Sequence, residues 1–206
     1  MTQERYGEEI KKRITELGEG AVFTASDFSD IANTNVINTT FSRFVENGMI
    51  RRLLHGIYDY PKYSAFLKKH ISPTPSAIAE TIARKNGWTI VPYGDTALNI
   101  LGLSTQVPAV WIYVSDGAYK KYKYEKIEIE FKRRTNKEIS NLSYITALVI
   151  QALKALGKEN IKREHIKTIA YKLTVEDKEK MASEARYATK WVYELIIEIA
   201  KADDYA

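Results

Sequence analysis

The chain has 206 residues, no cysteine, a formal charge of +5 and a pI of about 9.1. Its 45% hydrophobic and 28% charged residues are the balance of a soluble globular chain, long enough to bury one large core or two small ones. The absence of cysteine excludes disulfides, thiolate zinc sites and cysteine nucleophiles, while the mild cationic excess permits a nucleic-acid partner. The longest apolar run, Leu195 to Ala200, is interrupted by Glu198 and is too short for a bilayer. The polar start MTQERYGEEIKKR lacks the apolar centre of a signal peptide. A cytoplasmic protein with no membrane partner is expected.

Taken in chain order, Tyr6, Ile10, Ile14 and Leu17 recur at three- and four-residue spacing and predict a helix over 3–17, ended by Gly18 and Gly20. VFT suits a short strand, and ASDFSDIA a short helix capped by Thr24 or Ser26. A further helix is expected from about Val36 to Glu46, stopped by Asn47-Gly48. MIRRLLHGIYDYP, with its central glycine, reads as a hairpin closed by Pro61. KYSAFLKKHISPTPS is the best linker, and Ser76 is expected to cap the helix AIAETIARKN, ended by Gly87. WTIV predicts a strand, TALNILGL a short helix, and VPAVWIYVS and KYEKIEIEFK two strands joined by DGAYKKY. From Asn141 onward, YITALVIQALKALG, KREHIKTIAYKL and EKMASEARYATKWVYELIIEIAKA carry three helical patterns. Their apolar seams suit either a core or a partner surface.

Three helices followed by a hairpin is the order of a winged helix-turn-helix, whose third helix enters the major groove while the wing follows the backbone. On 34–47, Val36 or Ile37, Phe41, Phe44 and Val45 are expected to pack inward. Asn35, Asn38, Thr39, Ser42 and Arg43 then fall outward. Asn pairs with adenine, Arg with guanine, and Ser and Thr with several partners. Arg51, Arg52 and His55 lie in or beside the wing, where cations meet phosphates. The plain alternative is a solvated helix face and a solubilising surface.

The middle segment holds a candidate second basic surface of Lys120, Lys121, Lys123, Lys132, Arg133 and Arg134, interleaved with Tyr119, Tyr122 and Tyr124. Cations among aromatic rings can contact phosphates and bases, and an edge strand armed against aggregation looks the same. In IEIEFK the strand period puts Glu128, Glu130 and Lys132 on one face. With Asp116 upstream, this raises the alternative of a PD-(D/E)xK-like nuclease, in which two carboxylates hold a divalent metal. There is no Walker loop, no HExxH, and no ligand spacing among His55, His70 and His165. No catalytic residue, metal or cofactor is therefore assigned. Asn99, Ser104, Thr105 and Gln106 cluster at one end of the short helix, as cap and turn residues do.

Two stretches, FSRFVENGMIRRLLHGIYDYP and YGDTALNILGLSTQVPAVWIYVSDG, resemble AbiEi-like antitoxins of type IV (AbiE) toxin–antitoxin systems. The resemblance spans roughly 3–135. It implies an α+β protein with an N-terminal winged helix-turn-helix over 1–62. An antitoxin-like α/β domain over 63–206 would follow, its mixed middle leading into C-terminal helices at about 141–202. It further implies a non-enzymatic repressor that binds inverted repeats in double-stranded DNA at its own promoter as a monomer or weak dimer. Such a protein counters a nucleotidyltransferase-like toxin without a stable complex. The alternative is a mobile-element transcription regulator whose second domain binds a ligand or protein.

Overall fold

A computed structural model describes residues 3–133 and 142–202. The fold is mixed α+β, with a helical N-terminal region and a helical C-terminal segment. It divides into two compact units, Met1–Gly87 and Trp88–Ala206.

The first unit opens with α1 (Gln3–Leu17), whose Ile10 and Ile14 are fully buried as the stripe requires. Strand β1 (Val22–Phe23) leads into a 3-10 turn (Ala25–Phe28), shorter than the helix expected there. The carboxylate of Asp27 accepts hydrogen bonds from the Thr24 amide (2.7 Å) and hydroxyl (3.1 Å), which tightens this segment into a single turn. Helix α2 (Thr34–Glu46) starts two residues earlier than its apolar pattern suggests, because the Asn33 side chain caps it by accepting from the Val36 amide at 3.1 Å. Strands β2 (Arg51–Leu54) and β3 (Ile57–Asp59) form the expected hairpin, and Gly56 supplies the positive φ of its turn. The sheet order is β1-β3-β2, antiparallel throughout.

Phe23, Phe28 and Phe41 meet edge to face in this unit's core with centroids 5.3–5.6 Å apart, and Tyr58 joins Phe41 at 4.9 Å. Each such pair adds about 0.5–1.5 kcal/mol beyond its buried area. The core therefore locks the inner faces of β1, the 3-10 turn, α2 and β3 together.

Two expectations for 62–87 give way. The supposed linker is a second hairpin, β4 (Lys62–Ser64) paired with β5 (Lys69–Ile71). Helix α3 (Pro75–Asn86) is capped by Thr74, not Ser76, with Pro75 in its first turn. It belongs to the first unit: Arg84 forks onto the Asp27 carboxylate (3.0 and 3.1 Å), and the Thr81 hydroxyl reaches the Val22 carbonyl. Burial pushes the Asp27 carboxyl up, but the Arg84 and Thr24 hydrogen bonds outweigh it and hold the group below its ordinary range. These tethers put the division at Gly87 rather than after residue 62.

The second unit carries a four-stranded sheet in the order β6-β7-β9-β8. Its strands are β6 (Ile90–Pro92), β7 (Trp111–Ser115), β8 (Lys120–Tyr124) and β9 (Ile127–Arg133). The segment expected as a joint supplies most of β8, and β9 runs parallel to β7 while pairing antiparallel with β8. Helix α4 (Asp95–Ile100) is braced to β7 by the Thr96 hydroxyl, which accepts from the Ile112 amide at 2.8 Å. The Asn99 amide donates to the Gln106 carbonyl and the Ser104 hydroxyl accepts from the Gln106 amide, so this polar cluster shapes the turn after α4.

The C-terminal helices are α5 (Tyr144–Leu156), α6 (Arg163–Tyr171), α7 (Val175–Glu184) and α8 (Lys190–Lys201). The last expected helix is thus two, split by a 3-10 turn at Ala185–Tyr187. Leu148, Leu153, Ile169, Met181, Ile196 and Ile199 are buried in one core, which identifies the seams as internal. Glu184 of α7 reaches the start of α5, accepting from the Ser143 amide (2.9 Å) and hydroxyl (2.7 Å).

Candidate nucleic-acid interface

Helix α2 separates its residues cleanly. Ile37, Thr40 and Phe41 are buried, Phe44 is half-buried, and Asn35, Asn38, Thr39, Ser42 and Arg43 are all exposed. The inward stripe 37-40-41-44 differs from expectation at one point. Val45 is 36% exposed, and Thr40 takes the buried place, because Ile37, Thr40, Phe41 and the half-buried Phe44 already fill the helix's inner arc. Val45 therefore stands beside Asn38 and Ser42 on the outer face, an apolar neighbour that pattern reading assigned to the core.

Hydrogen bonding sorts the five polar side chains. Thr39 donates its hydroxyl to the Asn35 carbonyl (2.9 Å) and Ser42 donates to the Asn38 carbonyl (3.0 Å). Both hydroxyls thereby spend their single proton on the helix backbone and keep lone pairs outward. The donors of the face are Asn35, Asn38 and Arg43. Arg43 lines a shallow cleft with Glu4, Glu8 and Lys11 of α1, so its charge is read beside two carboxylates.

The hairpin separates its three basic residues differently. Arg51 does not face outward: it forks onto Asp59, which is fully buried, and also donates to the Ile71 carbonyl at 2.9 Å. The two residues stand opposite each other across β2 and β3. Arg51 is thus a structural clamp and not the expected phosphate contact. Arg52 and His55 are exposed, and the Arg52 guanidinium donates to His55 Nδ1 at 2.8 Å. Lys85, from α3, donates to the His55 carbonyl at 2.9 Å. A Cβ on Gly56 would lie 2.6 Å from its ammonium. Sequence reading missed Lys85 because it arrives from thirty residues away; only its place in the last turn of a helix marks it.

The second basic surface is largely neutralised. Glu130, 8% exposed, holds Lys121 (3.3 Å) and Lys132 (3.9 Å), and the hydrogen bonds that Lys121 donates to Glu130 and to Tyr119 raise that ammonium above its usual range. Lys123 stands opposite Glu128. Lys120 lies over the Tyr122 ring and Lys132 over Tyr93. Arg133 is exposed, and Arg134 lies outside the described residues. Among the described strands β8 lies at one edge of its sheet, so alternating lysines there match an edge guarded against pairing.

The nuclease grouping does not assemble. Glu130 stands beside Ile112 in the parallel pair, and Asp116 follows four residues further along, about 13 Å away at strand spacing. Asp116 instead accepts the Thr89 amide at 2.8 Å, while Glu130 is occupied by two lysines. Among the described residues no group of three or more His, Asp or Glu side chains is placed to hold a metal ion, and no helix is long and apolar enough to cross a membrane.

An exposed polar helix face and a cationic hairpin tip on one small antiparallel unit, followed by a separate α/β unit, define the chain as a two-unit α+β protein. It belongs to a family of unknown function, DUF6088, which matches residues 9–181 and so runs through both units into α7. None of the curated proteins compared with it matches.

Proposed function

We propose that the first unit is a winged helix-turn-helix that binds duplex DNA, with α2 in the major groove and the β2–β3 tip along the phosphates. The observation that carries this reading is the outer face of α2, where Asn35, Asn38, Thr39, Ser42 and Arg43 are all exposed, together with the exposed Arg52–His55–Lys85 tip of the hairpin that follows in the chain. The element order and the β1-β3-β2 sheet support it, since a reading helix followed by a paired wing is this module's arrangement. Val45 adds an apolar contact suited to a thymine methyl. The protein acts, on this reading, as a cytoplasmic antitoxin and autorepressor of a type IV operon. It binds inverted repeats as a monomer or weak dimer and opposes a nucleotidyltransferase-like toxin without a stable complex.

Gel-shift titration on the DNA upstream of the protein's own gene tests the first half. Affinity should exceed that for random duplex and fall steeply with salt. Asn38→Ala and Arg43→Ala should each cost about 1–3 kcal/mol and relax specificity. Equal binding to random duplex would refute base reading. Co-expression with the neighbouring gene tests the second half: rescue of growth supports an antitoxin, and a toxic neighbour left unrescued supports a regulator alone.

A further inference from the structure

The β4–β5 hairpin is the feature that DNA reading by α2 and the wing leaves unused. Residues 62–71, KYSAFLKKHI, contain three lysines, one histidine and no acid. Tyr63 pairs with His70 across the strands, ring to ring at 5.4 Å, and Ser64 closes the loop by accepting from the Leu67 amide at 3.2 Å. Lys68 takes a left-handed conformation, φ 50°, so the four-residue loop has one defined shape. At its tip Phe66 is 92% exposed and Leu67 50%. A phenylalanine this exposed on an ordered hairpin gains nothing from its own fold.

The hairpin is fixed to the proposed DNA-binding unit. The Arg51 side chain that clamps Asp59 also holds the Ile71 carbonyl, and only Tyr60 and Pro61 separate β3 from β4. Ten residues of chain join Gly56 to Phe66, so the two tips lie within about 35 Å, close to one turn of duplex. An apolar wedge flanked by lysines is the chemistry that enters a minor groove, unstacks a base step and bends the helix, while the cations hold the phosphates on either side. A membrane surface would also accept lysines and apolar side chains. Phe66 and Leu67 bury less hydrocarbon than a single acyl chain, however, and one such chain alone anchors a protein only marginally.

Resting on the DNA-binding reading above, we propose that the β4–β5 hairpin is a second DNA contact, in which Phe66 wedges into a base step of the same duplex while Lys62, Lys68 and Lys69 hold its phosphates. The full-length protein and its Phe66→Ala, Phe66→Trp and Lys69→Ala variants are titrated against the upstream duplex. Affinity is read by gel shift and bending by energy transfer between dyes on the duplex ends. Phe66→Ala should weaken binding about tenfold and reduce the bend, with the melting temperature unchanged. Phe66→Trp should keep both, and Lys69→Ala should lower the salt slope by about one. If the wild type shifts the duplex and Phe66→Ala matches it in affinity and bend, the wedge is refuted while DNA reading stands. If Phe66→Ala instead abolishes sedimentation with phosphatidylserine vesicles and leaves duplex binding intact, the hairpin is a membrane contact and the wedge is again refuted. A wild type that fails to shift the duplex overturns the DNA-binding reading, and the wedge with it.

Discussion

Replacing Arg51 with alanine separates a clamp from a phosphate contact. In the native protein the guanidinium forks onto an Asp59 carboxylate with no exposed surface and also holds the Ile71 carbonyl, while Arg51 itself keeps 27% of its side-chain exposure. Removing one partner of a buried pair leaves a charge without compensation, at about 3–5 kcal/mol. Water that reaches the Arg51 side softens the penalty, so we expect about 3 kcal/mol, a large share of the 5–15 kcal/mol that stabilises an ordinary domain. For a unit of 87 residues this lowers the unfolding temperature by about 10 °C or more. Thermal unfolding followed by circular dichroism measures it. The double variant Arg51→Met with Asp59→Leu should recover most of the loss, because it removes both charges and fills the same space. The reasoning is wrong if Arg51→Ala melts within 2 °C or so of wild type while its DNA affinity and salt slope both fall, for then the arginine serves the ligand and not the fold.

Arg52→Ala and Lys85→Ala should behave oppositely to Arg51→Ala: each should leave the melting temperature nearly unchanged and lower the salt slope of DNA binding by about one, as measured in titrations from low to moderate salt. Glu184→Gln should destabilise the second unit by about 1 kcal/mol at pH 7, since charge-assisted bonds to the start of α5 are weakened at a half-exposed site. Burial pushes the Glu184 carboxyl up, yet hydrogen bonds from Thr146 and Ser143 hold it below its ordinary range. Its contribution is therefore complete above the ordinary glutamate value of about 4.3 and fades as pH falls through the lower folded value. The gap between wild type and Glu184→Gln in melting temperature should accordingly close in acid; a gap constant from pH 7 to pH 3 or so contradicts this. Gly117→Ala should cost about 1–3 kcal/mol and shift tryptophan emission, because its Cβ would lie 2.3 Å from the Trp88 ring, which is itself packed on Phe131.

The helices of the first unit were legible because α1 and α2 each carry their own apolar stripe, and the outer face of α2 follows from the helical period alone. Contacts remote in sequence were not. Arg51 and Arg52 are the same residue type, and only the burial of Asp59 eight positions on from Arg51 distinguishes the clamp from the tip. The prolines at 73 and 75 signal a linker locally, whereas Arg84 meeting Asp27 across 57 positions decides that α3 belongs with the first unit. Hairpin β4–β5 lacks an apolar alternation because neither of its faces builds a core. In β9 the alternation gives the two faces, yet Glu130 is buried and paired with two lysines, so period does not translate into exposure. The break between α7 and α8 has no glycine or proline to announce it.

The parallel pairing of β7 with β9 constrains how the second unit is made. Strand β8 is made before β9, yet β9 lies between it and β7, so β7 cannot zip onto the next strand to leave the ribosome. The expected order is a β8–β9 hairpin first, turning at Glu125, followed by its insertion beside β7 as one piece. Until then β7 keeps an open hydrogen-bonding edge beside apolar side chains, the state most exposed to mispairing. Pulse-labelled hydrogen exchange during refolding should find the β8–β9 amides protected before those of β7; simultaneous protection of all three strands would mean that the sheet closes in a single step.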